Sequence, residues 1–286
     1  MVITIASGKG GTGKTTVALS VATLFSTQHR SVALLDCDVE EPNDNLFLGA
    51  PIESTEEVCV PVPLVDENRC DGCGECEKLC EFSAIVLVRG LPLLFPEMCH
   101  SCGGCALVCP PKAITERDRR IGVIESGRAG GIRYAGGRLD IGEVMSPPLI
   151  KNVKKKYPDS EIRILDSPPG TSCPVIETVR DSDFLVLVTE PTPFGLNDLS
   201  LAVDMARAVG VPFGVVINRS DGNDHLIADY CTAEGIAIIT AIPDTRSVAE
   251  HYSRGDFIEH LIGLYGDRIQ AILDHAGVHG REGAKK

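Results

Sequence analysis

Nowhere in the 286 residues is there an uninterrupted apolar run of the roughly 18 residues that a membrane-spanning helix needs. The N-terminus enters VITIASGKGG directly, without the charged stretch, apolar stretch and cleavage site of a secretory leader. Both absences point to a cytoplasmic chain. Positive charge is also scarce. With 27 Lys and Arg against 40 Asp and Glu, the formal charge of −13 argues against nucleic acid or an anionic bilayer as a general partner. The C-terminal FIEHLIGLYGDRIQAILDHAG (257–277) reads as a helix, but without the basic, one-sided pattern of a membrane-surface helix, so no stable membrane association is expected. The length suits one good-sized core plus a small module.

Cysteine, by contrast, is abundant. Eight of the twelve cysteines fall into two dense groups that a disulfide framework does not explain and that a reducing cytosol accommodates better. NRCDGCGECEKLCEF places Cys70, Cys73, Cys76 and Cys80 at C-x₂-C-x₂-C-x₃-C, and EMCHSCGGCALVCPP repeats the spacing with Cys99, Cys102, Cys105 and Cys109. Three thiolates two residues apart can wrap three irons of a cube while the fourth faces the other cube. The spacing therefore predicts one [4Fe–4S] cluster on Cys70, Cys73, Cys76 and Cys109 and a second on Cys99, Cys102, Cys105 and Cys80. Zinc and inert thiols compete poorly with two tandem quartets. The second quartet ends Cys109-Pro110 and the first Cys80-Glu81, whose extra negative charge favours an oxidised cube. Glycines 72, 74, 103 and 104 suit either amide donors to cluster sulfurs or plain tight turns.

At the other end of the chain, uncharged VITIA (2–6) leads through SGKGGTGKTT into the helix-like VALSVATLF (17–25). Strand, glycine loop and helix frame a G-x-x-x-x-G-K-[ST] match over Gly8, Lys9, Gly10, Gly11, Thr12, Gly13, Lys14 and Thr15, followed by Thr16. Crowded glycines let successive amides face phosphate oxygens at the positive end of the following helix. Lys14 should reach the β- and γ-phosphates of ATP, and the Thr15 hydroxyl should bind Mg²⁺. SVALLDCDVEEPNDNLF (31–47) is an apolar strand ending in Asp36 and Asp38, whose carboxylates share one side of an extended chain. Asp36 is expected to support the Mg²⁺ shell or the loop; capping of the next turn is the plainer alternative for the pair. EIRILDSPPGTSCPVIETV (161–179) ends its strand at Asp166, where an acid that holds a Mg²⁺-bound water must stand. Cys173 reads as an idle or buried thiol more readily than as a redox group. Strands in FLVLVTEPTPFG (184–195), VPFGVVINRSDG (211–222) and GIAIITAIPDTRS (235–247) alternate with helix-like 196–209 and 224–233, the pattern of a doubly wound parallel sheet.

GKGGTGKT, with its early Lys9, resembles the deviant phosphate loop of the Mrp/MinD/ParA group of P-loop ATPases, to which the nitrogenase iron protein also belongs, and DSPPG resembles the D-x-P-P-G of the Mrp subgroup. The resemblance implies a nucleotide-sandwich dimer, of two identical chains or with a paralogue, in which Lys9 reaches the nucleotide of the other subunit. It also implies that Asp38 positions the attacking water, that Gly170 turns its amide toward the γ-phosphate, and that Asn218 with the segment ending in Pro243 and Asp244 reads the adenine ring.

The whole chain resembles MinD-superfamily ATPases that carry an inserted ferredoxin domain. The expected architecture is an α/β P-loop NTPase with a parallel doubly wound sheet at 1–58 and 119–275, an inserted ferredoxin-like 2[4Fe–4S] module at 59–118, and a flexible tail at 276–286. Proline-rich PVPLVDEN (61–68) and charged ITERDRR (114–120) read as the module's borders, and Arg128, Arg133 and Arg138 as solvated turn charges. The leading functional expectation is an ATPase whose nucleotide state gates electron transfer from the two clusters to a redox partner. Two others stand beside it: an ATPase that carries or assembles iron–sulfur clusters, and a positioning or scaffold switch whose clusters sense oxygen.

Overall fold

The computed structural model describes residues 1–283. It divides into two compact units, one of Met1–Thr55, Ile124–Arg138 and the chain from Ile150 onward, the other of Glu56–Val123 and Leu139–Leu149.

The first unit is built on β1 (Val2–Ala6), β2 (Val32–Asp36), β7 (Ile132–Leu139), β8 (Ile162–Asp166), β9 (Phe184–Thr189), β10 (Phe213–Ser220) and β11 (Ile238–Pro243). To these are added the stretches of β3 (Ile52–Val65) and β6 (Ile114–Ala129) that lie in this unit. The sheet order is β11-β10-β9-β1-β8-β2-β7-β6-β3, and the pairs from β11 through to β7 are parallel. Helices cover both faces of the central part of the sheet, where β1, β2 and β9 are buried on both sides. On one face Ile3, Ile5 and Val186 pack with Val17, Val21 and Phe25 of α1 (Lys14–Thr27) and with Ile269 and Ile272 of α10 (Phe257–Gly283). On the other, Ala6, Leu185 and Leu187 pack with Val175 of α6 (Cys173–Val179), Leu199 and Val203 of α7 (Pro193–Val209) and Ile227 of α8 (His225–Ala233).

The sheet is mixed, not purely parallel. Only Gly130 and Gly131 separate β6 from β7, its neighbour in the sheet, and so short a link joins antiparallel strands. The stretches expected to border a module lie inside strands. Pro61 and Pro63 sit two residues apart on β3, which is the last strand of the sheet, so their missing N–H groups fall on one side of an edge. On the same strand Val58, Val60 and Val62 alternate inward. The charged 114–120 stretch opens β6. Of the tail expected at 276–286, α10 takes the residues up to Gly283, and the last three lie outside the described residues. Among the described residues, no helix is long and apolar enough to cross a membrane.

The second unit holds α3 (Glu75–Leu79), an antiparallel hairpin of β4 (Ile85–Val88) and β5 (Leu91–Leu94) turned at Arg89-Gly90, and α4 (Gly104–Val108). Both turn residues have positive φ, as a two-residue hairpin requires. Cys76, Ile85, Cys109, Ala113 and Ile114 form its small core. The expectation of a ferredoxin-like 2[4Fe–4S] module is corrected here. Among the described residues, no group of three or more His, Cys, Asp or Glu side chains is placed to hold a metal ion. Cys76 and Cys109 are buried, Cys73 and Cys102 are exposed, and Cys70, Cys80, Cys99 and Cys105 are half-buried. Cys76, Cys80, Cys99, Cys102 and Cys105 line part of a 310 Å³ apolar cavity. The Cys109 sulfur accepts from the Ala113 amide at 3.2 Å and the Cys99 sulfur from the Ser101 amide at 3.4 Å. Sequence spacing set the local turns; it did not bring the thiols into a metal-holding group.

Candidate functional site: a phosphate cradle at the strand ends

β1, β8 and β2 lie side by side, and their carboxyl ends carry the chemistry. Ile5 is in register with Asp166, and Asp166 with Asp36, so two acids from adjacent parallel strands stand next to the loop that leaves β1. That crevice is where an open α/β sheet binds ligands.

The loop is shaped by its glycines. Gly13 has φ +89°, and a Cβ there would sit 2.2 Å from the Asn218 amide nitrogen. A Cβ on Gly8 would lie 2.0 Å from the Asp198 carbonyl oxygen, so the loop rests directly on the α7 backbone. Ser7 Oγ donates to the Lys9 carbonyl at 2.6 Å. Lys14 opens α1 and is buried; burial lowers its ammonium pKa, and the Asp166 and Asp38 carboxylates oppose that. Thr15 Oγ1 donates to Asp166 Oδ2 at 2.6 Å. Asp166 is buried, and burial raises its pKa to about 6 against the pull of the Thr15 hydrogen bond and the Lys14 charge. Asp38, half-buried, is likewise raised to about 6 by burial, with Lys14 opposing.

Asp36 has a different environment. One oxygen accepts from the Asp38 amide at 3.1 Å, the other from the amides of Asn43 and Asp44 at 2.9 and 3.1 Å. Its carboxylate therefore ties down the 37–44 loop. The Gly170 amide, expected to face a γ-phosphate, donates to the Ser7 carbonyl at 3.0 Å. Asn218 Nδ2, expected at the adenine edge, donates to the Thr12 carbonyl at 2.7 Å. Gly11, Gly13, Lys14, Thr15, Thr16, Asn218, Pro243 and Asp244 all line one cavity of 380 Å³. Lys9, Gly8 and Gly10 do not line it. Lys9 Nζ pairs with Glu190 Oε2 at 3.2 Å.

Three features escaped the sequence reading. Asp44 is fully buried against the Asp166 carboxyl, and burial together with the charges of Asp36 and Asp166 pushes its own carboxyl well above the usual range. Phe47 and Tyr252 also line the cavity, their ring centroids 5.2 Å apart. Glu190 follows β9 directly; the rule that singled out Asp166, an acid at the carboxyl end of a parallel strand, would have found it.

Asp166 Oδ1 and Thr12 Oγ1 are buried without a partner. A hydroxyl, a carboxylate and a buried ammonium gathered at a helix N-terminus beside unsatisfied oxygens fit a Mg²⁺-bound polyphosphate. Fold and site together define a P-loop ATPase. Residues 3–258 match the CobQ/CobB/MinD/ParA nucleotide binding domain, and the chain belongs to that family. It is 38% identical over 227 residues to an uncharacterized protein of Methanocaldococcus jannaschii, covering 78% of this chain and 80% of that one. An iron-sulfur cluster carrier protein of Aquifex aeolicus is 26% identical over 89% of this chain and 60% of its own length. The septum site-determining protein MinD of Pyrococcus horikoshii, solved with Mg-ADP, superposes with a TM-score of 0.57 at 18% identity, over 97% of this chain and 98% of that one.

The site is thus a nucleotide site. Gated electron transfer from two [4Fe–4S] clusters to a redox partner required eight ligand cysteines in two metal-holding groups, and with no such group among the described residues that reading is withdrawn.

Proposed function

We propose that the chain uses ATP hydrolysis to drive the carriage of iron–sulfur clusters to other proteins, the cluster being cargo and not a resident cofactor. The observation that carries the ATP half is the Thr15–Asp166 hydrogen bond at 2.6 Å beside buried Lys14. Its cargo half is supported by the resemblance to the carrier protein of Aquifex aeolicus.

In this reading the amides from Gly8 to Thr16 surround the phosphates and Lys14 neutralises the β- and γ-oxygens. Thr15 and Asp166 would hold Mg²⁺, which would supply further neutralisation of the phosphate charge. Asp36 keeps the 37–44 loop in place, so that Asp38 is presented to orient the attacking water. Gly170 exchanges its Ser7 partner for a γ-phosphate oxygen, a two-state contact of the sort that senses phosphate loss. Asn218, Pro243 and Asp244 bound the base. Lys9 acts on the nucleotide of a second copy, where a positive charge meets charge developing on the transferred group.

The test is anaerobic. The chain is incubated with equal amounts of ferrous and ferric iron and with sulfide, desalted, and mixed with an apo-[4Fe–4S] enzyme whose activity reports cluster arrival. Arrival that ATP accelerates, and that Lys14→Ala makes ATP-independent, supports the reading; arrival at the same rate with and without ATP rejects it.

A further inference from the structure

Lys9 is not free in a single copy of the chain. Its ammonium lies 3.2 Å from one oxygen of Glu190, and the other oxygen of the same carboxylate takes Arg219 Nη1 at 2.6 Å. We propose that Glu190 is the positioning residue for Lys9: it holds the ammonium back within one copy and must release it before Lys9 can serve a nucleotide bound by a second copy. This rests on the reading above in which Lys9 acts between copies.

Glu190 is the fixed partner of the pair. It sits between β9 and α7 in a turn stiffened by Pro191 and Pro193. Its carbonyl accepts from the Thr192 amide at 2.8 Å, and Thr192 Oγ1 accepts from the Gly195 amide at 3.0 Å. A Cβ on Gly195 would stand 2.2 Å from the Glu190 carbonyl oxygen, so the turn has no room to shift. The Glu190 side chain is only 12% exposed, whereas Lys9 is 31% exposed on a long flexible stem. The moving part is therefore Lys9.

Arg219 makes release feasible. A mostly buried carboxylate that lost its only cation would be stranded, at a large desolvation cost. Here Arg219 stays on the other oxygen at the shorter distance, so Lys9 can leave without leaving Glu190 unpaired. Arg219 holds this position at φ +54°, a left-handed conformation uncommon for a non-glycine residue, and follows Asn218, whose amide is fixed on the Thr12 carbonyl. One carboxylate thus links Lys9 to the segment that lines the nucleotide cavity.

Two substitutions separate this role from a merely structural one, because they should act in opposite directions. With the full chain, Mg²⁺ and a saturating non-hydrolysable ATP analogue, the dimer dissociation constant is measured by analytical ultracentrifugation. E190Q, which weakens the hold on two lysines per dimer, should tighten the constant by about fivefold to tenfold. R219A, which among the described residues leaves Lys9 alone on Glu190, should weaken it by a similar factor. K9A should abolish the dimer, and the K9A/E190Q double variant should behave as K9A alone. An E190Q constant equal to or weaker than that of the wild type overturns the proposal. If E190Q folds poorly, R219A decides alone: tighter or unchanged dimerisation overturns it. A K9A variant that dimerises normally would instead overturn the between-copies reading itself, so the two failures are distinguishable.

Discussion

The Thr15 hydroxyl donates to Asp166 Oδ2 at 2.6 Å, joining the first turn of α1 to the last residue of β8. Thr15→Val keeps the shape of the side chain and removes the donor, leaving a buried carboxylate without this partner. ATP turnover should fall by about 10²-fold, the scale seen when one preorganised charge-stabilising group is removed. Comparing ATP affinity with and without Mg²⁺ checks the cause: the variant should lose the Mg²⁺-dependent gain and keep the metal-independent part.

Asp166→Asn should raise the stability of the nucleotide-free protein while stopping hydrolysis. Burial lifts the Asp166 carboxyl from 3.8 to about 6, so the folded state binds its proton more tightly than the unfolded state does. A raised folded pKa means that stability is fully present below pH 3.8 and is lost as pH rises through 6. At neutral pH the ionised group costs about 3 kcal/mol, an order-of-magnitude figure from about 1.4 kcal/mol per pKa unit. Chemical denaturation with chelator present should therefore show the variant ahead of wild type above pH 6, with the gap closing by pH 4. A constant gap across this range would contradict the ionised assignment.

Lys14→Ala should abolish ATP turnover, since it removes the buried ammonium that opens α1 beside Thr15 and Asp166. Its effect on the empty site has a definite sign. The Lys14 charge holds down both Asp38 and Asp166, so its removal should move both carboxyl groups above about 6. Carbon-detected NMR of side-chain carboxyls across pH 4–8 would show the displacement, and unmoved titrations would place Lys14 away from both acids.

Much of this site can be read along the chain, because its parts are local. The Gly8–Thr16 loop, Asp36, Asp38 and Asp166 each follow a mostly apolar run that becomes a largely buried strand, and that pattern survives without knowledge of any partner. What escaped is what depends on another element. β3 looks like a linker because Pro61, Pro63 and several acids interrupt it, and only its position at the sheet edge explains why a strand tolerates them. Asp44 reads as one more acid in the polar EEPNDN stretch until Asp36 and Asp166 are seen beside it. The eight clustered cysteines misled for the same reason. Spacing specifies turns, whereas metal binding also demands convergence of side chains in space, and Cys76 and Cys109 are instead packed into a small core.

Two glycines of the same loop offer a contrast that composition alone would not predict. A Cβ on Gly8 would lie 2.0 Å from the Asp198 carbonyl oxygen and 2.8 Å from the Asp198 Cβ, whereas one on Gly10 would meet nothing within 4 Å. The obstacle at Gly8 is helix backbone in α7, which cannot rotate aside as a side chain can. Gly8→Ala should therefore push the loop off α7, destabilising the protein by about 1–3 kcal/mol or more and displacing the amides that face phosphate. Gly10 has no positive φ, so alanine there introduces neither a clash nor a forced left-handed backbone. Gly10→Ala should leave stability unchanged or raise it by about 0.4–1 kcal/mol, because alanine restricts the unfolded chain more than glycine does. Thermal melting of the nucleotide-free proteins separates the pair: a fall of several degrees for Gly8→Ala and no fall for Gly10→Ala. Equal losses at both positions would mean that the loop does not rest on α7 in solution.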